Sequence, residues 1–159
     1  MIIIELSTTE MQIIEFIAAL RYYETSSKGT ERKQSSLDSL QMGVDGVMSE
    51  YAVAKHYNIH FDMNCDYRKF GADLVGKSGK TFDVKSTRKE KGNLNAVKWS
   101  VNKPADFYIL TEIVTNEHEN KVKLIGWIKK SDFLIPENLT DVGHGEFYSI
   151  SQDKLSHYD

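Results

Sequence analysis

The sequence predicts an α/β protein in which a mixed β-sheet of about four to six strands is flanked by helices. Three stretches predict it: a hairpin over residues 70–87 (FGADLVGKSGKTFDVKST), a helix with a small-residue face over residues 42–57, and two apolar runs, residues 106–114 and 121–130, joined by the polar turn TNEHEN. With 159 residues, 40% of them apolar, the chain can bury one sizeable core, and no repeat or proline-rich linker divides it. A single domain spanning 1–159 is expected. Its parts are an N-terminal helix and polar loop (1–41), a central unit (42–130) and a C-terminal packing segment (131–159).

Taken in order, Ser7-Thr8-Thr9-Glu10 has the pattern of a capping box. Met11, Ile13, Ile14, Ile17 and Leu20 then recur with helical period to Tyr23. Residues 25–41 (TSSKGTERKQSSLDSLQ) carry only two leucines and read as a mobile loop with at most one helical turn. In the helix over 42–57, Gly43, Val47, Glu50, Ala54 and Tyr57 share one face, and Gly43 and Gly46 permit close approach to a sheet. Glu50 lies on that apolar stripe, where a carboxylate is costly unless it is paired or bound to a cation. Residues 94–101 alternate as a strand, with Val97, Trp99 and Val101 on one face. Residues 106–114 form a central strand and 121–130 its antiparallel neighbour. The tail, with Phe147, Tyr148, Ile150 and Leu155, packs back on the sheet. Trp99 and Trp127 are read as core or sheet-face residues rather than base-stacking platforms.

The hairpin register decides where its charges go. A three-residue loop Lys77-Ser78-Gly79, with Gly79 at the position needing positive φ, sets Asp73 opposite Asp83 and Leu74 opposite Phe82. Asp73, Asp83 and Lys85 then share a face, while Ala72, Leu74, Phe82 and Val84 occupy the other. A two-residue loop would instead drive Asp73 in among Phe82 and Val84. Two facing carboxylates repel unless a cation sits with them. The plainer alternative is an exposed hairpin with a cross-strand salt bridge. Oxygen donors of this kind suit a hard divalent ion such as Mg²⁺, which polarises a phosphoryl oxygen and activates a bound water. Lys85 stands where an ammonium would orient that water or offset developing charge.

On these residues the chain resembles the PD-(D/E)XK nuclease superfamily, the restriction-endonuclease-like fold. The resemblance covers residues 42–130. It implies that Glu50, Asp73 and Asp83 bind the metal and that Lys85 completes the catalytic set. Ala72 stands where the motif's name has proline. The implied activity is hydrolysis of DNA phosphodiester bonds, of the endonuclease kind, with Mg²⁺ as cofactor and Mn²⁺ as a substitute. Small stand-alone nucleases of this type are similar to those of phages, mobile elements and repair systems. A homodimer would give one site per strand of a duplex. A second reading keeps the scaffold for non-catalytic nucleic-acid binding or assembly, and a third makes the acidic termini a mimic that binds a basic partner.

Charge is distributed in favour of a nucleic-acid partner. The net charge is −3, yet residues 68–103 hold ten basic against three acidic residues. The flanks, 1–50, 51–67 and 104–159, are all net acidic. Arg68, Lys69, Lys77, Lys80, Arg88, Lys89, Lys91, Lys98 and Lys103 thus surround the acidic motif in sequence, and all but Lys103 are taken as candidate DNA contacts. Without the motif they would read as a solvated face. The sequence has no apolar run near membrane-spanning length and no secretory leader pattern, and its one cysteine, Cys65, has no internal partner. A cytoplasmic protein without membrane contact is expected. His56, His60 and Cys65 lack the fourth ligand and the fixed spacing of a zinc site.

Overall fold

The computed structural model describes residues 1–27, 36–66 and 71–158. Strand β1 (Ile2–Glu5) leads into helix α1 (Thr8–Ser27), followed by helix α2 (Ser36–Tyr57). The hairpin strands β2 (Leu74–Val75) and β3 (Thr81–Thr87) come next, then β4 (Leu94–Val97), β5 (Phe107–Thr115) and β6 (Asn120–Lys129). A short helix α3 (Lys130–Phe133) precedes β7 (Leu139–Asp141), β8 (Glu146–Ile150) and β9 (Ser156–His157). The main sheet has the order β1-β6-β5-β3-β2 with β9 also on β6, and β4-β8-β7 form a second, smaller sheet. Among the described residues only β3 and β5 pair in parallel, so the architecture is mixed α/β.

Alternation along β5 divides the core in two. Ile109 and Ile113 face α1 and α2, where Ile14, Val47, Met48 and Val53 are buried with Val122 and Leu124. Tyr108 and Leu110 face the other way, into a cluster with Leu94, Phe133, Tyr148 and Ile150. The main sheet is therefore a middle layer, with two helices on one face and the small sheet on the other. Its parallel β3–β5 pairing places β5 centrally, in keeping with the continuous burial of Tyr108 to Ile113.

Local signals account for the ends of the elements. Glu10 N–H donates to Ser7 Oγ (3.1 Å) and Ser7 N–H to Glu10 Oε1 (2.9 Å), the reciprocal capping box that starts α1. Helix α2 stops where Asn58 turns left-handed at φ 51°. The hairpin uses the three-residue loop: Gly76 N–H donates to Lys80 O (2.7 Å), Gly79 has φ 84°, and Leu74 pairs with Phe82. At Gly126 the tail strand β9 crosses so closely that a Cβ would lie 2.8 Å from both Leu155 Cβ and Ser156 O. The tail does pack back, burying Tyr148, Ile150 and Leu155, but Phe147, expected with them, is half-buried on the outward face of the small sheet.

Three expectations are corrected. The stretch 25–41 is not mainly loop: α1 continues through Ser27 and α2 already begins at Ser36, while residues 28–35 lie outside the described residues. The strand expected over 94–101 ends at Val97, and Lys98–Asn102 form a 3₁₀ turn. Trp99 is therefore no core residue but stays 43% exposed, whereas Trp127 packs edge-on against Phe107 at 5.6 Å. Strand β1, with side chains alternately half-buried and exposed, was not anticipated as an element. Among the described residues no helix is long and apolar enough to cross a membrane.

Candidate active site

The short β2 creates the site. It pairs with β3 through Leu74 and Val75, so among the described residues β3 beyond Phe82 has no strand on that side. A bare edge leaves amides unsatisfied. Asp73, just before β2, meets this need by accepting the Val84 N–H at 2.7 Å through Oδ2. Val84 and Phe82 pack towards the helices, which turns Asp83 and Lys85 to the opposite face.

Asp83 has no exposed surface at all. Lys85 Nζ lies 2.6 Å from its Oδ1 and Lys103 Nζ 2.9 Å from its Oδ2. Among the described residues Oδ1 meets Lys85 only as an ion pair and accepts no aligned hydrogen bond. Burial works against the Asp83 charge, but the two ammonium groups outweigh it and hold this carboxyl below the usual range. Lys103 is itself largely covered; Asp83 more than offsets that burial and keeps its ammonium charged.

Glu50 reaches the same region from α2, its side chain 14% exposed. It is paired with Arg21, whose Nη1 donates at 2.9 Å to Oε2. Arg21 also donates through Nη2 to Asp62 O (2.6 Å) and through Nε to Asn64 O (3.2 Å), so its fork ties α1, α2 and the 62–64 segment together. Burial raises the Glu50 carboxyl despite Arg21, and the nearby Asp83 charge adds to the rise. Asp73 is pushed up to about 7 by burial and by the charges of Glu50 and Asp83. These three carboxylates thus feel one another.

All four residues singled out in the sequence, Glu50, Asp73, Asp83 and Lys85, are brought into one interacting group. A cleft of about 210 Å³ opens beside them, lined by Arg21, Glu50, Asp73 and Lys103 with Asn64 and Cys65. Among the described residues, no three His, Cys, Asp or Glu side chains stand ready together as a metal-binding set. As placed, Glu50 is turned to Arg21, and Asp83 to two lysines.

Two site residues were not recognised from the sequence. Lys103 was counted only among the basic neighbours, and nothing in the order of residues tells its ammonium from the others. Arg21 did leave a signal, because it continues the buried Met11, Ile14, Ala18 stripe of α1, and an arginine there needs a carboxylate partner. The expected DNA contacts are scattered. Lys77 and Lys80 are exposed near the hairpin tip, and Lys89 and Lys91 in the turn after β3. Arg88 makes a two-pronged pair with Asp45 of α2, at 2.6 and 2.7 Å, which commits its guanidinium to the fold. Lys98 pairs with Glu146 at 3.1 Å. Arg68 and Lys69 lie outside the described residues.

No protein-family model matches the chain, and neither the search of curated proteins nor the search of solved structures gives a match.

Proposed function

We propose that the chain is a metal-dependent nuclease of the PD-(D/E)XK type, with a restriction-endonuclease-like core, that hydrolyses DNA phosphodiester bonds. The observation that carries this reading is the buried Asp83, bracketed by Lys85 and Lys103 and flanked by the Asp73 and Glu50 carboxylates. Surface ion pairs need no such burial, and a purely structural pair does not gather three carboxylates whose charges oppose one another.

The chemistry of the donors suits a hard divalent cation, which would draw Glu50 from Arg21 and Asp83 from its lysines. Every candidate ligand atom is a carboxylate oxygen, Asp83 Oδ1 accepts no hydrogen bond among the described residues, and burial with the Glu50 and Asp83 charges holds a proton on Asp73 that a bound cation would displace. Glu50, Asp73 and Asp83 would hold Mg²⁺ or Mn²⁺. When bound, the ion would supply Lewis-acid polarisation of the phosphate and a more acidic water. The chain's own contribution is positional. Val84 N–H fixes Asp73, and β3 fixes the Asp83-to-Lys85 spacing. Lys85 and Lys103 keep positive charge beside the reacting phosphate, where it is worth most in a partly buried site.

The test is incubation of the protein with supercoiled plasmid, linear duplex and single-stranded DNA in Mg²⁺, Mn²⁺ or EDTA. Cleavage is expected with either metal and not with EDTA. Lys85→Ala is expected to slow it by about 100-fold or more, measured well below the variant's melting temperature because the buried Asp83 Oδ1 loses its ion-pair partner. Binding of DNA with no cleavage of any form would replace this reading with a non-catalytic nucleic-acid-binding protein.

A further inference from the structure

A second and larger groove, about 780 Å³, lies where the far end of β3 meets the small sheet. Lys85 and Lys89 stand on its β3 side. The other side is set by strand register. In β4 and β8, Leu94, Ala96, Tyr148 and Ile150 point into the core, so Asn95, Ser149 and Phe147 point out, and Thr140 of β7 pairs with Phe147. None of the groove's twelve lining residues is Asp or Glu, in a chain where acidic residues outnumber basic ones by 23 to 20. Apolar groups are added to these polar donors: Phe147 is half-buried, while Val97 and Val142 are 49% and 70% exposed at the same sheet.

We propose that this groove is the track for a single DNA strand leaving the active site. Three features fit that partner together. The walls offer ammonium, amide and hydroxyl donors without a carboxylate to repel phosphates. The sheet face offers an aromatic ring and aliphatic groups against which bases stack or rest, the combination that binds single strands without reading sequence. Lys85 belongs both to the groove and to the Asp83 ion pair, so a strand in the groove lies within reach of the site. An acidic protein segment would use the lysines but has no need of Phe147. The identity of the strand rests on the nuclease reading. The groove's contribution to binding does not.

Fluorescence anisotropy of a labelled 12-nucleotide deoxythymidine strand, in EDTA so that no cleavage occurs, separates the two. Wild type is expected to bind with an affinity that falls as salt rises. The double variant Lys89→Glu/Asn95→Asp is expected to bind at least tenfold more weakly, and Phe147→Ala about tenfold more weakly with its salt dependence intact. Lys129→Glu, an exposed charge reversal outside the groove, is expected to change affinity less than twofold. Circular dichroism melts confirm that each variant is folded. Wild-type affinity in both groove variants, an equal loss in Lys129→Glu, or no binding by wild type overturns the track. Groove-dependent binding by a protein that cuts no DNA in metal leaves the track standing and removes the nuclease reading.

Discussion

Replacing Asp83 with asparagine is expected to damage both folding and cleavage. Asp83 is fully buried and partners two ammonium groups, one of which, Lys103, is 14% exposed. Removing the shared carboxylate strands both cations. Breaking a buried pair in this way costs about 3–5 kcal/mol. The remaining Asp73 and Glu50 charges soften that loss, which points to the lower end, about 3 kcal/mol, and a fall in Tm of roughly 6–12 °C for a chain of this size. Cleavage in Mg²⁺ is expected to drop by about 10³-fold or more, measured well below the variant's Tm. A variant that melts with wild type would mean that the lysines do not depend on Asp83. A folded variant that still cuts would remove Asp83 from the chemistry.

The second large effect runs in the opposite direction. In the metal-free protein Asp73 is pushed up to about 7, from an ordinary value of 3.8, by burial and by Glu50 and Asp83. Between those limits the folded state keeps a proton that the unfolded chain has released. Stability therefore falls as pH rises through about 4 to 7, by roughly 2–4 kcal/mol from this group. Glu50, also raised, acts in the same sense, whereas Asp83, held low, contributes stability that is lost only at more acidic pH. Asp73→Asn is expected to flatten the curve and to be more stable than wild type at pH 8 in EDTA. Urea denaturation at pH 5, 6, 7 and 8 reads this directly. Equal wild-type stability at pH 5 and pH 8, or a variant weaker than wild type at pH 8, would show that the carboxylates do not strain the fold. Such strain is what a site built for a cation should display before the cation arrives.

The hairpin was legible because turn chemistry and two-residue periodicity agree: Gly79 suits the three-residue loop, and that loop sets Leu74 opposite Phe82, whereas Asp73, just before β2, turns its carboxylate to the Val84 N–H of β3. The β5–β6 pairing was legible for a similar reason, two apolar runs about a polar turn. Residues 98–102 were not, since KWSVN alternates like a strand while the chain must turn there to deliver Lys103 to Asp83. The stretch around the α1–α2 connection misled because polar residues at helix ends carry no periodicity. Of the site's cations, Lys85 was legible from its two-residue spacing to Asp83, whereas the partners of Lys103 and Arg21 were not. Lys103 lies 20 residues from Asp83 and Arg21 lies 29 from Glu50, and only tertiary packing makes them partners while sending Arg88 to Asp45.

The measurement that bears most directly on the account is Mn²⁺ binding followed by electron paramagnetic resonance at pH 7.5, without DNA, for wild type and Asp73→Asn. Saturable binding by wild type, at least tenfold weaker in the variant, is the predicted result. No saturable binding by wild type up to millimolar Mn²⁺, or identical binding by both proteins, would contradict the claim that these carboxylates form a metal site.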